Sequence, residues 1–307
     1  MKKIMILGGH GFVGSWVNRF LKQKGEKPVS LSRRSGLDLL DFASTKHWLK
    51  KINPEVIINC AIHGGSVHYV SEFAADVVHD NLQMTLNLYR AVKNLKIDPM
   101  IINPISNCAY PGLANIQKES AFWDGPVHPS VWSIANAKRA ILVISQCYAS
   151  QYQIKTINYL VPNSYGPGDY LDPNKTHALN GMIIRMLKAK AENQPEFEIW
   201  GTGKPKREWI YVKDLARLLV MALRANNPQI EPINLAQNKA YSIAKTAKII
   251  MKLTGYKGKL VFNPKYQDGA MIKKLDDTLF RKKYPRFKFT PIGKGIKETI
   301  AYYLTKL

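Results

Sequence analysis

Three glycines near the start of the chain have a spacing that suits the binding of phosphate groups. Gly8, Gly11 and Gly14 follow the short apolar run Ile4–Leu7 and precede a stretch with helical periodicity. Glycines at such a strand–helix turn let the backbone approach a pyrophosphate closely, and the start of the helix offers free N–H groups to it. The segment therefore predicts a dinucleotide-binding loop, with a tight turn that binds no ligand as the alternative. The predicted cofactor contacts in this loop are Gly8, Gly11, Phe12 and Val13.

The end of the second predicted strand indicates which dinucleotide is bound. An acidic residue there would accept the ribose hydroxyl of NAD, but the sequence continues with Arg33 and Arg34 and has no carboxylate before Asp38. Two guanidinium groups pair well with a 2′-phosphate. NADP is therefore the predicted cofactor, with NAD as the alternative, and a solvated charged pair is the other interpretation of the two arginines. Asp38 and Leu39 are expected near the adenine.

Short apolar runs alternate with amphipathic stretches and indicate the elements that must position these residues. Strands are predicted at Ile4–Leu7, Pro28–Leu31, Val56–Asn59, Met100–Asn103 and Thr156–Leu160, and a long helix at Trp132–Tyr152. Strands that alternate with helices form parallel sheets covered by helices on their faces. The predicted fold is α/β, a Rossmann-type doubly wound parallel sheet with a smaller mixed α/β domain for the substrate.

The predicted domains interleave along the chain. The pattern becomes irregular after residue 166, and a helix from about His177 to Ala189 and the segment from Tyr241 onward are assigned to the smaller domain. Trp209–Leu223 is interpreted as a strand and a helix that return to the first domain. The predicted dinucleotide domain is 1–166 plus about 207–240, and the predicted substrate domain is about 167–206 plus 241–307.

Composition limits the protein class and its partners. The chain has 307 residues, of which 46% are hydrophobic, so it can bury a full core. Its net charge of +23 indicates an anionic partner or a lysine-rich solvated surface. No aromatic-interleaved RNA-binding motif accompanies the basic residues, so no nucleic-acid partner is expected.

The cysteines and the apolar runs indicate the compartment. Cys60, Cys108 and Cys147 lack the spacing of a metal site and cannot form a complete set of disulfides, which suits a reducing cytoplasm. No run of about 18 apolar residues occurs, so no membrane-spanning helix is expected. The start at Met1 is interpreted as a first strand rather than a signal peptide. We therefore expect a cytoplasmic protein that binds no metal and no membrane.

Further motifs follow the glycine loop in a fixed order. They are Ser106–Pro111, Ala137-Lys138, Pro162–Pro167, Asn174–His177, Trp200–Gly203, Arg207-Glu208 and Tyr211–Asp214. The series resembles the extended short-chain dehydrogenase/reductases, the NAD-dependent epimerase/dehydratase family, from the loop to about Asp276. Within that family it is most similar to the GDP-L-fucose synthases, which epimerise and reduce GDP-4-keto-6-deoxymannose. The resemblance implies such an activity and a homodimer, for which Phe73–Val92 and Trp132–Tyr152 would supply the helices.

The resemblance also implies a role for each matching residue. Ser106 would hydrogen-bond the sugar near C4, and Lys138 would hold the nicotinamide ribose and supply positive charge. Cys108 and His177 would exchange protons at the carbons beside the ketone, and His177 would also contact the cofactor. Ala61 and Pro162 would be further cofactor contacts. The implied substrate contacts are Asn163, Arg185, Trp200, Arg207 and Lys273.

The chemistry of two of these side chains supports their implied roles. Epimerisation beside a carbonyl needs a base on one face and an acid on the other, and a thiol and an imidazole both titrate near neutral pH. Cys108 could instead be a small buried apolar residue, and His177 a surface residue at a helix start. Arg185 and Arg207 suit a diphosphate because guanidinium groups bind it bidentately.

One departure from the family pattern affects the chemistry directly. These enzymes carry Tyr-x-x-x-Lys on the long central helix, and the tyrosine donates a proton to the carbonyl oxygen as hydride arrives. Here Lys138 is present, but Ile134 occupies the position of the tyrosine. Loss of a general acid lowers a rate by about 10²–10⁴-fold. Either another group supplies the proton, or the chemistry differs, or the protein is not a catalyst.

Several groups could supply the missing proton. Ser106, Lys138 or an ordered water are the expected sources. Tyr110 and Tyr165 match tyrosines that are structural in the family. Retention of the other site residues argues against loss of catalysis.

The predicted function is NADPH-dependent reduction of the C4 keto group of a nucleotide-linked sugar, GDP-linked by resemblance, in surface-glycan biosynthesis. Epimerisation at C3 or C5 is a possible second step. The alternatives are a C3/C5 epimerase with a structural cofactor and a catalytically silent protein that binds a nucleotide sugar or NADP.

Overall fold

The computed structural model describes residues 2–224, 231–266 and 268–307. Met1, residues 225–230 and Gln267 lie outside the described residues, together with those parts of the predicted domains that contain them. None of the described helices combines the length and the apolar character that crossing a bilayer requires.

Strands and helices alternate along most of the described chain. The strands are β1 (Ile4–Leu7), β2 (Val29–Leu31), β3 (Val56–Asn59), β4 (Met100–Ser106), β5 (Thr156–Val161), β6 (Asn163–Tyr165), β7 (Glu196–Trp200), β8 (Lys206–Tyr211), β9 (Ile233–Asn234), β10 (Ala240–Ser242), β11 (Lys259–Asn263) and β12 (Ile272–Lys273). The helices are α1 (Phe12–Gln23), α2 (Phe42–Ile52), α3 (Val67–Glu72), α4 (Ala74–Leu95), α5 (Trp132–Tyr152), α6 (Ala178–Ala191), α7 (Val212–Met221), α8 (Ile243–Thr254), α9 (Thr278–Lys283) and α10 (Ile292–Leu304). Short 3-10 turns cover Arg33–Ser35, Asn107–Ala109, Glu119–Ala121, Pro129–Val131 and Ala222–Arg224.

A parallel sheet forms the first layer of the structure. Among the described strands its order is β2-β1-β3-β4-β5-β9, and every neighbouring pair is parallel. The strands are apolar because helices cover both faces, as parallel sheets require. The predicted Rossmann-type fold is confirmed. The fourth strand runs beyond its predicted end at Asn103 to Ser106, which places Ser106 at the carboxyl edge of the sheet.

A smaller sheet lies beside the first one. Strand β8 pairs with β6 and β12 in parallel and with β10 in antiparallel fashion. Strand β8, most of which lies in the stretch Trp209–Leu223, pairs with β6, which follows β5 directly. The predicted return of that stretch to the first domain stays a prediction. Helix α7, in the same stretch, packs against α1.

Two apolar clusters hold these layers together. One joins β1, β3 and β5 to α1 and α7 through residues such as Val17, Tyr159 and Leu218. The other joins α6, α8 and α10 through residues such as Ile183 and Ile250. Strand β6 follows the carboxyl end of β5 and pairs with β8, so the smaller sheet adjoins the carboxyl edge of the large one. Open α/β sheets bind their ligands at that edge.

Candidate active site

The glycine loop has the geometry of a phosphate cradle. Gly8 adopts a φ of +66°, which residues with a Cβ rarely adopt. A Cβ added to Gly14 would lie 2.3 Å from the carbonyl oxygen of Gly8, so only glycine fits there. Helix α1 follows Gly11, and no side chain among the described residues caps its first N–H groups. Those amides are available to a phosphate, and the loop fits a dinucleotide.

Two arginines stand beside this loop. Arg33 and Arg34 are exposed in the 3-10 turn after β2. Nδ1 of His10 lies 2.8 Å from Oγ of Ser32, which brings the glycine loop to the end of that strand. Both guanidinium groups are therefore near the glycine loop, and their contact with a 2′-phosphate stays a prediction.

Asp38 and Leu39, which were expected near the adenine, have structural contacts of their own. Asp38 accepts a hydrogen bond from the backbone N–H of Leu40 at 3.0 Å. The side chain of Leu39 is 7% exposed and packs in an apolar cluster under α2. The Leu39 side chain therefore lies mainly in the core, beside the region expected for the adenine.

Ser106, Cys108 and Lys138 come from β4, the turn after it, and α5. The backbone N–H of Cys108 donates to Oγ of Ser106 at 3.4 Å. Lys138 is 8% exposed. Burial lowers the pKa of Lys138 to about 8, and the neighbouring thiols of Cys108 and Cys60 oppose that change. The lysine, the two thiols and the end of β4 therefore form one compact group.

Cys60 is a member of this group that the sequence did not single out for chemistry. It follows β3, and its carbonyl oxygen lies 2.7 Å from the position of a Cβ added to Gly8. Burial raises the pKa of Cys60 to about 12, although the charge of Lys138 opposes the change. Cys60 is therefore a neutral thiol between the glycine loop and Lys138.

Ile134 occupies the family's tyrosine position in an apolar setting. It packs, together with Cys108, against a buried cluster of Val127, Val131 and Ala135. The hydroxyl groups of Tyr110 and Tyr165, the two tyrosines considered as substitutes, both donate hydrogen bonds within the protein. The buried hydroxyl of Tyr110 donates to Oδ1 of Asn234 at 2.8 Å, and burial raises its pKa.

Tyr165 is likewise buried, in the apolar cluster of the smaller unit. It is 1% exposed, its hydroxyl donates to the carbonyl of Ile292 at 3.5 Å, and burial raises its pKa. The expectation that Tyr110 and Tyr165 are structural agrees with these contacts.

His177 stands at the start of α6 with a carboxylate behind it. Its Nδ1 lies 3.0 Å from Oδ2 of Asp169, which also accepts from the backbone N–H of His177 at 2.9 Å and from Nδ2 of Asn180 at 2.7 Å. Desolvation lowers the pKa of His177, but the charge and hydrogen bond of Asp169 outweigh it, and the pKa is raised overall. The ring centroid of His177 lies 5.3 Å from that of Phe12 in the glycine loop.

The remaining predicted cofactor contacts line the space between these groups. The backbone nitrogen of Ala61 lies 2.8 Å from the position of a Cβ added to Gly8. Pro162 is buried between β5 and β6. Nδ2 of Asn163 donates to the carbonyl of Glu208 at 3.3 Å, so that side chain is turned toward β8.

A cationic group lies on the smaller sheet. Lys273 of β12 pairs in register with Arg207 of β8. Nη1 of Arg207 donates to the carbonyl of Ala270 at 2.6 Å, which fixes its guanidinium. Burial lowers the pKa of Lys273, which the thiol of Cys108 opposes and Arg207 reinforces. Lys273 thus connects this cationic group to the one around Lys138.

His128 belongs to the same cationic group and was not predicted. Burial and the charges of Lys273 and Arg207 lower its pKa. Its Nδ1 lies 2.8 Å from Oγ of Ser130. Ser130 Oγ and Nη2 of Arg207 both lie within 3.8 Å of the position of a Cβ added to Gly269.

Arg185 and Trp200 form a separate platform. The guanidinium of Arg185 lies 4.7 Å from the ring centroid of Trp200. Burial lowers the pKa of Arg185. Trp200 is 55% exposed and stacks on Tyr266 with the ring centroids 5.1 Å apart. Two stacked aromatic rings with one open face suit a planar base.

The structure brings Lys138, Cys108 and Lys273 near one another and sets His177 against the start of α1. Arg185 and Trp200 form a separate pair. Asp169, His128, Cys60 and Tyr266 were not predicted from the sequence. Asp169 follows Gly166-Pro167-Gly168 directly, and this position after a turn could have marked it as a candidate site residue. The sequence around the other three residues gives no such indication. Within the described ranges, no group of three or more His, Cys, Asp or Glu residues could hold a metal ion.

Comparison with known proteins places the chain among nucleotide-sugar enzymes. Residues 4–236 match the NAD dependent epimerase/dehydratase family. A GDP-L-fucose synthase of Dictyostelium discoideum is 29% identical over 308 residues, which are 99% of this chain and 95% of that protein. The predicted resemblance is confirmed.

Solved structures give the same picture. A GDP-L-fucose synthetase from Naegleria fowleri bound to NADP has a TM-score of 0.89 at 27% identity, covering 99% of this chain and 93% of that one. A GDP-6-OMe-4-keto-L-xylo-heptose reductase from C. jejuni has a TM-score of 0.89 at 23% identity, covering 100% and 98%, and shares the fold.

Proposed function

The chain belongs to the NAD dependent epimerase/dehydratase family, and we propose that it is an NADPH-dependent reductase of the C4 keto group of a GDP-linked sugar in glycan biosynthesis. The observation that carries this proposal is the compact group of Lys138, Ser106 and Cys108 beside the glycine loop. A buried cation that shares a neighbour, Cys108, with the Ser106 hydroxyl suits a carbonyl that becomes an alkoxide. The related GDP-L-fucose synthetase of Naegleria fowleri was crystallised with NADP.

The residues that would hold the cofactor have distinct tasks. The glycine loop and the first turn of α1 would bind the pyrophosphate, and Arg33 and Arg34 would bind the 2′-phosphate. Lys138 would hold the nicotinamide ribose. When bound, NADPH supplies the hydride that reduces a keto carbon.

The substrate would lie across the two cationic groups. Lys273 and Arg207 would bind the diphosphate, and the Trp200–Tyr266 stack with Arg185 would receive the base. The sugar ring would then reach Ser106, whose hydroxyl would donate to the C4 carbonyl oxygen. The positive charge of Lys138 would stabilise the developing alkoxide in a site of low dielectric constant.

Epimerisation at C3 or C5 is the finer part of the proposal. Cys108 is near Lys138 and Ser106, and His177 approaches from the loop before α6. Proton exchange beside a ketone needs an acid and a base on opposite sides of the ring. Asp169 would orient His177 so that Nε2 faces the cleft. If the two residues only shape the site, the enzyme reduces without epimerising.

We also propose a homodimer in the cytoplasm. Helices α4 and α5 pack side by side, and Leu86 and Val143 are exposed on them, at 40% and 43%. Burial of such side chains stabilises helix–helix interfaces between subunits. Sedimentation equilibrium tests the oligomeric state. The free cysteines agree with a reducing compartment.

The experiment that tests the activity is a screen of GDP-4-keto sugars with NADPH and NADH, followed at the nicotinamide absorbance. The proposal expects oxidation of NADPH with at least one sugar. Deuterium uptake from heavy water without any oxidation of cofactor would favour an epimerase with a structural cofactor. Unchanged sugar and cofactor throughout would favour a silent binding protein.

A further inference from the structure

A second polar network lies outside the residues that the resemblance implies. Nδ1 of His63 lies 2.7 Å from Oδ2 of Asp80, and Nε2 of His63 lies 2.8 Å from the hydroxyl oxygen of Tyr69. His63 follows β3, Tyr69 is in α3 and Asp80 is in α4. Three elements thus bring a carboxylate, an imidazole and a phenol into one line.

The histidine at the centre of this line is fixed in place. Asn81, which is 1% exposed, accepts from the backbone N–H of His63 at 3.1 Å and donates to its carbonyl at 2.7 Å. Partial burial opposes ionisation of Asp80, but hydrogen bonds from His79 and His63 lower its pKa overall. Asp80 is therefore a carboxylate, and it can hold a proton on Nδ1 of His63.

The network adjoins the position that lost its tyrosine. Oγ of Ser133, the residue before Ile134, donates to the carbonyl of Val70, the residue after Tyr69. From the other side, Cδ1 of Ile134 lies 3.7 Å from the position of a Cβ added to Gly64, the residue after His63. The residues next to His63 and to Tyr69 therefore both contact the first turn of α5.

The ring of Tyr69 also faces the loop that carries His177. A Cβ added to Gly65 would lie 2.8 Å from Cδ1 of Tyr69 and 2.5 Å from the carbonyl oxygen of Asn174. The backbone N–H of Ser66 donates to that same carbonyl at 2.7 Å. Tyr69 thus stands where the segment after β3, the start of α5 and the loop before His177 meet.

We propose that Tyr69 donates the proton to the keto oxygen, in place of the tyrosine that Ile134 replaces. His63 and Asp80 position the Tyr69 hydroxyl and return a proton to it. The inference rests on the proposed function, because only a reduced ketone needs this proton. Tyr110 and Tyr165 cannot take the role, since both are buried in other contacts.

The step conserves protons and electrons. As the keto carbon accepts the hydride supplied by NADPH, the electron pair of the C=O π bond moves to oxygen, and that oxygen takes the proton of the Tyr69 hydroxyl. The Tyr69 oxygen then takes a proton from Nε2 of His63 in its imidazolium form, which keeps the proton that Asp80 holds on Nδ1 and becomes a neutral imidazole. Solvent returns a proton to His63, because the side chains of His63 and Asp80 are each 24% exposed. One NADPH and one proton are consumed for each alcohol formed.

The main test is single-turnover oxidation of NADPH by Tyr69→Phe, with GDP-4-keto-6-deoxymannose and a GDP-4-keto-heptose as probes. Tyr69→Phe should slow oxidation by about 10²-fold or more, because it removes a general acid. Its circular dichroism and NADPH affinity should be unchanged. Ile134→Tyr, added to Tyr69→Phe, should restore part of the rate by returning a phenol to the family position.

A binding measurement gives a readout that does not depend on turnover. Tyr69 would hydrogen-bond the 4-hydroxyl of a reduced product, so Tyr69→Phe should weaken GDP-L-fucose binding to the cofactor-free protein. One lost hydrogen bond corresponds to roughly 2–10-fold in affinity. Calorimetry with the unmodified protein and the variant measures this change.

Matched variants separate positioning from packing. His63→Gln should lower the single-turnover rate without changing the affinity for NADPH. Asp80→Glu should retain more of the rate than Asp80→Asn. His68→Gln on the same short helix should have no effect, since His68 is 79% exposed.

Failure of this inference is distinct from failure of the proposed function. If the unmodified protein oxidises NADPH and Tyr69→Phe does so at the same rate, Tyr69 is not the donor and the reductase assignment stands. If the unmodified protein oxidises no NADPH with either probe, both are overturned.

Discussion

The Nδ1 nitrogen of His177 lies 3.0 Å from Oδ2 of Asp169, a carboxylate whose side chain is fully buried. This contact assigns the proton on Nδ1 and leaves Nε2 to face the cleft. It also links the loop before α6 to the glycine loop, because His177 packs on Phe12. The position of His177 is therefore fixed before any ligand binds.

Asp169→Asn should change the pH dependence of deuterium uptake at C3 or C5 of the sugar. Asp169 raises the pKa of His177, so the imidazolium persists to higher pH. If the imidazolium is the acid, exchange falls as pH rises through that pKa. Removal of the charge should move this limb of the profile to lower pH. Mass spectrometry of sugar incubated in heavy water measures the rate.

Cys108→Ser is the control for this prediction. It should slow exchange at all pH values without moving the limb that belongs to His177. The stability effect of Asp169→Asn through His177 should be small, because the imidazole is 47% exposed and its charge is screened by solvent. The stability that this pair adds is present between the pKa values of its two members: it is lost as pH rises through the raised pKa of His177 and as pH falls through the lowered pKa of Asp169. An unchanged pH profile in Asp169→Asn would show that His177 does not titrate in this step.

The double variant Arg33→Ala, Arg34→Ala should lose most of the preference for NADPH over NADH. Each charge-assisted hydrogen bond contributes about 1.5–3 kcal/mol, which is roughly tenfold or more in affinity. NADH affinity should change little, because it has no 2′-phosphate. Calorimetry with both cofactors measures the ratio. Arg19→Ala serves as the control, since Arg19 stacks on Trp16. Equal affinities in the unmodified protein would contradict the prediction.

Trp200→Ala should weaken binding of the GDP-sugar and leave NADPH binding unchanged. Stacking of a base on an aromatic ring contributes about 1–3 kcal/mol. The loss should appear with GDP alone, because the base is the contact. Trp123→Ala is a matched control, since Trp123 is 51% exposed and packs on Phe122. If GDP binds Trp200→Ala as tightly as the unmodified protein, the base lies elsewhere.

The reduction rate should fall as pH rises through about 8, where Lys138 loses its charge. The buried ammonium would stabilise the alkoxide, and the neutral amine would not. The single-turnover rate at saturating NADPH and sugar, measured from pH 6 to 10 on the unmodified protein and Lys138→Arg, tests this. If Lys138→Arg turns over, its rate should not fall above pH 8, because a guanidinium stays charged. A flat profile in the unmodified protein would contradict the prediction.

The large sheet could be predicted because its strands are short apolar runs with clear boundaries. Ile4–Leu7 and Val56–Asn59 have the bounds that the pattern gave. The helix Trp132–Tyr152 likewise matches its prediction. Local periodicity suffices for these elements, since each buries one regular face.

The smaller sheet could not be predicted in the same way. The partner of β8 is β6, whose paired residues lie 46 positions earlier in the chain, and no local signal specifies that pairing. The site shows the same division. Lys138 and Ser106 were found through motifs, whereas the contact of His63 with Tyr69 and Asp80 depends on how α3 and α4 pack.

The central claim is tested most directly by single-turnover oxidation of bound NADPH with a saturating GDP-4-keto sugar, followed by absorbance in the unmodified protein, Lys138→Met and Ser106→Ala. The account predicts loss of NADPH absorbance in the unmodified protein, with formation of one reduced sugar per cofactor. Lys138→Met and Ser106→Ala should both slow the step sharply, because they remove the charge and the hydroxyl at the keto oxygen. Persistent NADPH absorbance in the unmodified protein across a panel of GDP-4-keto-6-deoxyhexoses and GDP-4-keto-heptoses would contradict the claim that this chain is a reductase.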